Sequence, residues 1–592
     1  MKKRILGILL AGILVVSALT ACAGNGDETT TTDTPTADTT DGDEQVEGTE
    51  GAGGEEAPPL DTDGRNFPVD ENGNPDPFGR YQEPITLEIV MSVDPTTELP
   101  EGDTVTDHFW TRYIKEHLNI NIEVKWQAAP ADFRERIGLA IAANDLPDIM
   151  VVNRQEFAVL VQNDMIADLT DYFEAFSSQI VLDNIASTEG RAMDAVTVDG
   201  RIMGLPNVAV EADSFNLMWI RQDWLNELGL EPPTTMAELE VVAQAFIDNE
   251  MGGPNTIGIL GPTINAPMYN HFLASQNNMY TLDGIFQAFN AFPGFWLEDE
   301  NGDIIYGSTT AETREALGEL QRLFAAGILD QELGVRRDAP EAWRSGQAGI
   351  LFGQWWFGYL IQGGIAIDPN AEWRAFTAPL NDEGYFSSKM GSVGDHIVVV
   401  RRDFEHPEAI LVMNNLLRRD EGLFSEMTTL PIGFWPGRVV IVSLDECDIS
   451  VEFLRKYMRG EEIPEFDAID YKLLENDLAT ISQTLLDFDD LSIHNWNTDD
   501  GNFGRIYSLL IGHAPVVDAD AAGIVRRVYS AIYHQTPIME RRWANLQTIE
   551  EEVFLRIIIG ELELDEFDAF VERWYAEGGR EITDEVREVL GR

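Results

Sequence analysis

Cysteine and basic residues are both scarce in this sequence. It has 2 cysteines, Cys22 and Cys447, among 592 residues, which excludes a framework of disulfides and a cysteine-rich zinc site. Its 40 Lys and Arg stand against 103 Asp and Glu, a formal net charge of −63. Because phosphates and anionic lipid headgroups need a basic face, we expect no nucleic acid partner and no direct adsorption to lipid.

Several motifs that carry catalysis are also missing. The sequence has no GxxxxGK[ST] phosphate-binding loop, no GxSxG elbow and no HExxH motif. Its 8 histidines are scattered without metal-ligand spacing. These absences argue against ATP hydrolysis by a phosphate-binding loop, against a serine hydrolase of the GxSxG type and against a zinc protease.

The first residues have the pattern of an export signal. Residues 2–4 are basic, and residues 5–19 are almost wholly apolar but too short to span a bilayer comfortably. The sequence LTAC at 19–22 then fits a bacterial lipobox. We expect residues 1–21 to be removed as a lipoprotein signal peptide and Cys22 to be lipidated. The protein would face the outside of the cell membrane, attached through its lipid anchor only.

The segment after the leader is predicted to be a tether. Residues 23–64 contain no Lys or Arg, are rich in Thr, Asp, Glu and Gly, and hold only Val46 and Leu60 as large apolar side chains. Such a composition buries too little surface to offset the entropy of ordering. We therefore expect residues 22–84 to form a disordered acidic tether ahead of a globular body.

From about residue 85 the pattern is that of an α/β fold. It predicts strands at 86–91, 120–126 and 148–152, alternating with helices at 107–118 and 131–143. This order favours a mostly parallel sheet, whose binding sites lie outside the carboxyl ends of the strands. Further helices are predicted at 236–249, opened by Pro232-Pro233-Thr234-Thr235, and at 311–326, with Thr309 and Thr310 as cap candidates. Two more are predicted at 406–417 and 562–575.

Four segments of the body share the motifs of one family. They are residues 202–230 (IMGLPNVAVEADSFNLMWIRQDWLNELGL), followed by PPTT, then 342–360 (AWRSGQAGILFGQWWFGYL), 391–423, and 557–575 (IIIGELELDEFDAFVERWY). In their order and spacing they resemble extracellular solute-binding proteins of family 1, in the long lipoprotein subgroup. The resemblance runs from about residue 85 to the end.

The resemblance implies a two-lobed α/β fold of the periplasmic-binding-protein type II, with a ligand cleft between lobes joined by hinge crossings. It places the first lobe at 85–210 plus 388–430 and the second at 211–387 plus 431–592. It also implies a monomeric receptor that closes on a carbohydrate, most often an oligosaccharide, and delivers it to the permease subunits of an ABC transporter.

Two other functions stay open. The same scaffold could bind a peptide or another small solute. A cell-surface glycoside hydrolase needs only two carboxylates flanking a sugar bond, and 103 acidic residues supply many candidates. Clustered arginines in the cleft would favour acidic sugars, but the sequence alone does not place them.

Candidate ligand contacts follow from the surfaces that sugars present. Aromatic planes suit their C–H faces, and polar side chains suit their hydroxyls. Trp355 lies at the family's G-x-W position and is the first candidate, with Trp356 pointing elsewhere if the segment is extended. Core packing is the alternative for Trp355 and Trp219. The remaining candidates are Trp110, Asn153, Trp219, Asp395 and Trp435.

A metal site is not expected. Some long members of the family carry an EF-hand-like calcium loop, but the matching stretch at 247–257 (IDNEMGGPNTI) lacks the alternating oxygen ligands that such a loop needs. The acidic residues 299–303 contain Asn-Gly between apolar pairs, which favours a hairpin turn. We predict no metal and no cofactor, and we expect Cys447 to be buried and inert.

Overall fold

A computed structural model describes residues 65–592 except 94–96, 98, 265, 274–277, 300, 422–426, 429, 431 and 467–470. The predicted signal peptide, the lipidated Cys22 and most of the tether lie outside the described residues. Within the described ranges, no helix combines the length and the hydropathy needed to cross a bilayer.

The secondary structure alternates short strands with helices. In chain order the strands are β1 (Ile85–Ser92), β2 (Ile120–Ala128), β3 (Ile149–Asn153), β4 (Thr197–Val198), β5 (Arg201–Ile202), β6 (Leu205–Pro206), β7 (Leu217–Arg221), β8 (Ile257–Ile259), β9 (Trp296–Glu298), β10 (Ile304–Tyr306), β11 (Ala348–Gly353), β12 (Trp373–Phe376), β13 (Phe386–Lys389), β14 (His396–Val400) and β15 (Val525–Val528). The first ten helices are α1 (Phe109–Leu118), α2 (Pro130–Ala143), α3 (Arg154–Gln162), α4 (Thr170–Phe176), α5 (Gln179–Ala186), α6 (Arg191–Asp194), α7 (Gln222–Leu228), α8 (Met236–Asp248), α9 (Asp283–Ala288) and α10 (Ala311–Ala325). They are followed by α11 (Ala339–Arg344), α12 (Gln362–Ile365), α13 (Ala409–Asp420), α14 (Glu446–Met458), α15 (Lys472–Thr484), α16 (Phe503–Tyr507), α17 (Ala514–Ala521), α18 (Pro537–Ile558), α19 (Glu566–Trp574) and α20 (Arg580–Val589).

The predicted βαβαβ start of the body is confirmed, but the expectation of a mostly parallel sheet is wrong. β1 and β2 pair in parallel, as the connection through α1 requires. β3 instead pairs antiparallel with β14, which also pairs antiparallel with β6. The reason is that β14 re-enters this region from the other part of the molecule and runs against its neighbours.

A second sheet has the order β12-β7-β11-β8. β7 pairs antiparallel with both β11 and β12, and β8 pairs in parallel with β11. All five residues of β7 are buried, which is expected for a strand covered on both faces.

The buried apolar side chains fall into two groups along the chain. Those of the first lobe come from 67–208 and 397–441, and those of the second lobe come from 212–390 and 447–586. The chain therefore passes between the lobes at 208–212, 390–397 and 441–447. These three segments, the first and third extended by one residue to include Asn207 and Val440, are called the crossings below.

Two predicted boundaries differ from this division. Phe67 and Tyr81 are buried in the first lobe, so its core begins before residue 85. Phe434 and Trp435 also pack in the first lobe, although residues 431–592 were assigned to the second. Their large apolar side chains fill the first core, and the chain crosses only after Ile441.

Most of the other local predictions are confirmed. Thr235 and Thr310 cap α8 and α10, each accepting a hydrogen bond from the backbone N–H three residues on. β9 and β10 form the hairpin predicted around 299–303. Cys447 is buried, and burial raises the pKa of its thiol well above the ordinary range.

Candidate functional site

A cavity of about 270 Å³ lies where the three crossings meet. Its lining comes from 207–214, 390–396 and 440–444, together with Arg191 and Tyr529. Because the crossings join the two lobes, this hinge cavity is bounded by residues of both.

Asn207 ties the three crossings together. It lies just after the Gly-Leu-Pro of β6, on the first crossing. Its Nδ2 donates to Asp395 Oδ1 at 3.0 Å on the second crossing, and its Oδ1 accepts from the N–H of Val440 at 2.9 Å on the third. Backbone bonds from Val208 to Val440 and from Gly394 to Asn207 complete the junction. The floor of the cavity is thus a hydrogen-bonded network.

Asp213 presents a nearly uncompensated carboxylate to the cavity. Trp355 Nε1 donates to its Oδ1 at 2.9 Å, and no other hydrogen bond to Asp213 is formed by the described residues. Burial raises the pKa of Asp213 to about 6, although the bond from Trp355 acts in the opposite direction. Trp355 therefore fixes the position of the carboxylate through Oδ1, and Oδ2 is available to a ligand.

Asp395 is the predicted site residue that lines this cavity directly. Burial alone would raise its pKa, but hydrogen bonds from His396 and Asn207 hold the pKa below its ordinary value. His396 Nδ1 lies 3.1 Å from Asp395 Oδ2. Asp395 is accordingly an ionised acceptor at neutral pH.

Two arginines lie near this site: Arg191 lines the cavity, and Arg154 lies close to Asp395. The Arg191 guanidinium of α6 lies 5.0 Å from the ring centroid of Tyr529, a contact between the two lobes. Arg154 donates to the carbonyls of Val393 at 2.6 Å and Gly394 at 3.1 Å on the second crossing. Burial lowers the pKa of Arg154.

Trp355 lies beside the cavity and is only 6% exposed. The segment Trp355–Tyr359 is a 3₁₀ helix, so the condition under which Trp355 and Trp356 would alternate, an extended segment, is not met. Its indole ring packs in the second lobe, and its N–H reaches Asp213. The structure therefore brings Trp355 and Asp395 to one site. Asp395 lines the cavity itself, whereas Trp355 is connected to it by its hydrogen bond to Asp213.

The other four predicted residues lie elsewhere. Trp110 and Trp435 are buried against each other in the first lobe, with ring centroids 5.7 Å apart. Trp219 is fully buried in β7 and donates to the carbonyl of Gln354 at 3.1 Å. Asn153 caps α3, its Oδ1 accepting from the N–H of Glu156 at 2.8 Å.

Sequence reasoning missed Asn207, Asp213, Arg191 and Tyr529. Asn207 and Asp213 both lie inside the quoted segment 202–230, so the motif marked the region but not the side chains. No motif marked Arg191 or Tyr529. Within the described residues, no group of three or more His, Cys, Asp or Glu is placed to hold a metal ion.

The family model described as bacterial extracellular solute-binding protein matches residues 96–416, which is more than half of the chain. The chain belongs to this family. Members of the family are binding proteins that act outside the cell.

Curated relatives of this solute-binding protein have names that specify sugars. The polygalacturonan/rhamnogalacturonan-binding protein YtcQ of Bacillus subtilis strain 168 is 23% identical over 251 residues, which are 40% of this chain and 45% of YtcQ. The fructooligosaccharide ABC transporter substrate-binding protein FusA of Streptococcus pneumoniae serotype 4 is 25% identical over 229 residues, 36% of this chain and 40% of FusA. The chain thus spans less than half the length of either relative.

Solved structures show the same fold. The alginate-binding protein AlgQ2, solved without calcium ion, superposes with a TM-score of 0.56 at 15% identity, covering 86% of this chain and 99% of AlgQ2. An HMO-binding, ABC-transporter-associated solute-binding protein from Bifidobacterium longum infantis gives 0.55 at 15% identity, covering 86% and 98%. The solute-binding protein therefore has the predicted two-lobed type II fold.

Proposed function

We propose that this protein is a lipid-anchored extracellular receptor that captures an oligosaccharide in the hinge cavity and delivers it to an ABC permease. The observation that carries the proposal is a cavity bounded by both lobes and lined by carboxylates and amides suited to hydroxyl groups. The sugar-specific names of the curated relatives support the same ligand class.

The proposed binding chemistry is acceptance of hydroxyl protons by fixed acids. Asp213 and Asp395 accept from ligand hydroxyls, and Asn207 holds Asp395 in position. Met390 and Tyr529 add apolar surface for the C–H face of a sugar ring. In this proposal Trp355 orients Asp213 and does not itself contact the ligand.

The proposed mechanism is closure of the lobes. A ligand that contacts both lobes is bound more tightly by the closed arrangement and so shifts the population toward it. The contact between Arg191 and Tyr529 belongs to that arrangement, since the two side chains come from different lobes. The permease would then recognise the closed shape.

Thermal melts of the full-length protein in mild detergent test the proposal. The panel holds neutral oligosaccharides, uronates and peptides, and a ligand present at one hundred times its Kd adds about 2.7 kcal/mol to stability. We expect sugars alone to raise the melting temperature, and Asp395→Asn to reduce that shift. A shift with peptides alone would overturn the sugar assignment, and consumption of the sugar would indicate a hydrolase.

The anchor and the delivery step need separate measurements. Incorporation of labelled palmitate into the wild-type chain, but not into Cys22→Ala, is the expected result for lipidation. Uptake of the identified sugar by cells should fall when the gene is deleted. Unchanged uptake would argue against a role in import.

A further inference from the structure

Arg438 is a cation that forms no ion pair with the described residues. It lies on the loop that follows Trp435 in the first lobe and is partly buried. Its Nε is shielded from solvent and has no hydrogen-bond partner among the described residues.

Arg438 lines a cavity of about 320 Å³ that is separate from the hinge cavity. Its walls include the end of β1 at Ile89 and Met91, Met150 of β3, and Trp435. The described lining belongs wholly to the first lobe and is largely apolar. This is called the first-lobe cavity below.

The charge of the first-lobe cavity is positive. Its described lining contains two arginines, Arg134 and Arg438, and no Asp or Glu. Arg134 is already paired, because its Nη1 lies 2.8 Å from Glu156 Oε2. Arg438 forms no ion pair with the described residues, although it also lines a small neighbouring cavity with Glu421. The hinge cavity, in contrast, is lined by three carboxylates, those of Glu211, Asp213 and Asp395, and by one arginine, Arg191.

We propose that the first-lobe cavity binds the carboxylate of an acidic sugar unit, with Arg438 as its counter-ion. The inference rests on the proposed function, since it assumes that the ligand is a carbohydrate. A guanidinium pairs with a carboxylate through two parallel hydrogen bonds, which its two Nη groups can supply. The apolar walls fit the C–H face of a sugar ring, whereas a free inorganic anion would gain nothing from them.

The experiment compares sugars that differ only at C6. Trimers of galacturonate, glucuronate and mannuronate are titrated calorimetrically into the full-length protein beside the matching trimers of galactose, glucose and mannose. We expect at least one uronate trimer to bind about ten-fold more tightly than its neutral partner. Arg438→Gln should abolish that preference and leave the affinity for the neutral trimer within about two-fold.

Two further variants control for net charge and for geometry. Arg201→Gln removes one positive charge from an exposed position of β5 in the same lobe and should leave the preference unchanged. Arg438→Lys keeps the charge without the planar fork and should retain part of the preference. Because Arg438 makes no contact that folding requires, we expect Arg438→Gln to melt at or above the wild-type temperature.

The outcomes separate this inference from the receptor assignment. Equal affinities of wild type and Arg438→Gln for every uronate trimer would overturn the inference while a receptor for neutral sugars stands. Failure of every sugar to bind would overturn the proposed function. Binding of inorganic phosphate, lost in Arg438→Gln and equal in strength to uronate binding, would show a simple anion site and would also overturn the inference.

Discussion

Protonation of Asp213 should control how tightly the hinge cavity holds a ligand. Burial raises its pKa to about 6, and a ligand hydroxyl donates a stronger hydrogen bond to the ionised carboxylate than to the neutral acid. Affinity should therefore be highest above that pH and fall as the pH drops through it. With one titrating group, binding at pH 5 should be weaker than at pH 7 by up to about ten-fold.

Trp355→Phe perturbs this pKa while keeping an aromatic ring in place. The substitution removes the indole N–H that donates to Asp213 at 2.9 Å. A hydrogen bond to a charged acceptor is worth about 1.5–3 kcal/mol, which corresponds to about 1–2 pKa units. The pKa should rise by that amount, so affinity at pH 7 should fall by about two- to ten-fold and recover at pH 9.

Calorimetric titration from pH 5 to 9, with the tightest sugar from the panel, measures the effect. Trp373→Phe is the matched control, because Trp373 is also buried in the second lobe but its indole N–H finds no hydrogen-bond partner among the described residues. In Trp373→Phe the midpoint of the fall in affinity with pH should stay near pH 6, and in Asp213→Asn the affinity should no longer depend on pH. The reasoning would be refuted if folded Trp355→Phe kept the wild-type midpoint. It would also be refuted if Asp213→Asn kept the pH dependence of its affinity.

Three stability effects follow from the buried charges. Asp213→Asn should raise the free energy of unfolding of the ligand-free protein at pH 7 by up to about 3 kcal/mol, because the charged form is desolvated; urea unfolding showing no gain would contradict this. Burial raises the pKa of Glu550 from 4.5 to about 7, so stability should fall as the pH rises through that window. Urea unfolding should give a lower free energy of unfolding at pH 8 than at pH 5 in wild type but not in Glu550→Gln. Equal losses in the two proteins would argue against a role of Glu550. Lys389 Nζ lies 2.6 Å from Asp283 Oδ1 with both side chains fully buried. Lys389→Met should lower the free energy of unfolding by about 3–5 kcal/mol, and adding Asp283→Asn should restore most of that stability. A double variant as unstable as Lys389→Met would count against the pairing.

Local features were predictable because their causes are local. The period of the apolar residues placed β1, α1 and β2 within a few positions, and the threonines before α8 and α10 marked their caps. The direction of β14 was not predictable, since it depends on a strand that enters from the other lobe.

The candidate site could be predicted only in part. Asp395 was found, but its partner Asn207 lies 188 positions away in the sequence. Trp355 was found for its aromatic surface, whereas its role here is a hydrogen bond to Asp213 across 142 positions. Trp110 and Trp219 lie in the cores of the lobes, which use the same side chains that a sugar would, whereas Trp435 packs in the first core and also lines the first-lobe cavity.

The division of the first core between residues 67–208 and 397–441 has a consequence for biosynthesis. A ribosome completes every residue of the second sheet before β14 and the loop around Trp435 exist. The apolar surface of residues 67–208 therefore stays exposed to solvent until residues 397–441 have been synthesised. Such exposure slows folding and promotes aggregation. A chaperone that shields the nascent amino-terminal segment would act on this protein until residue 441 has been made.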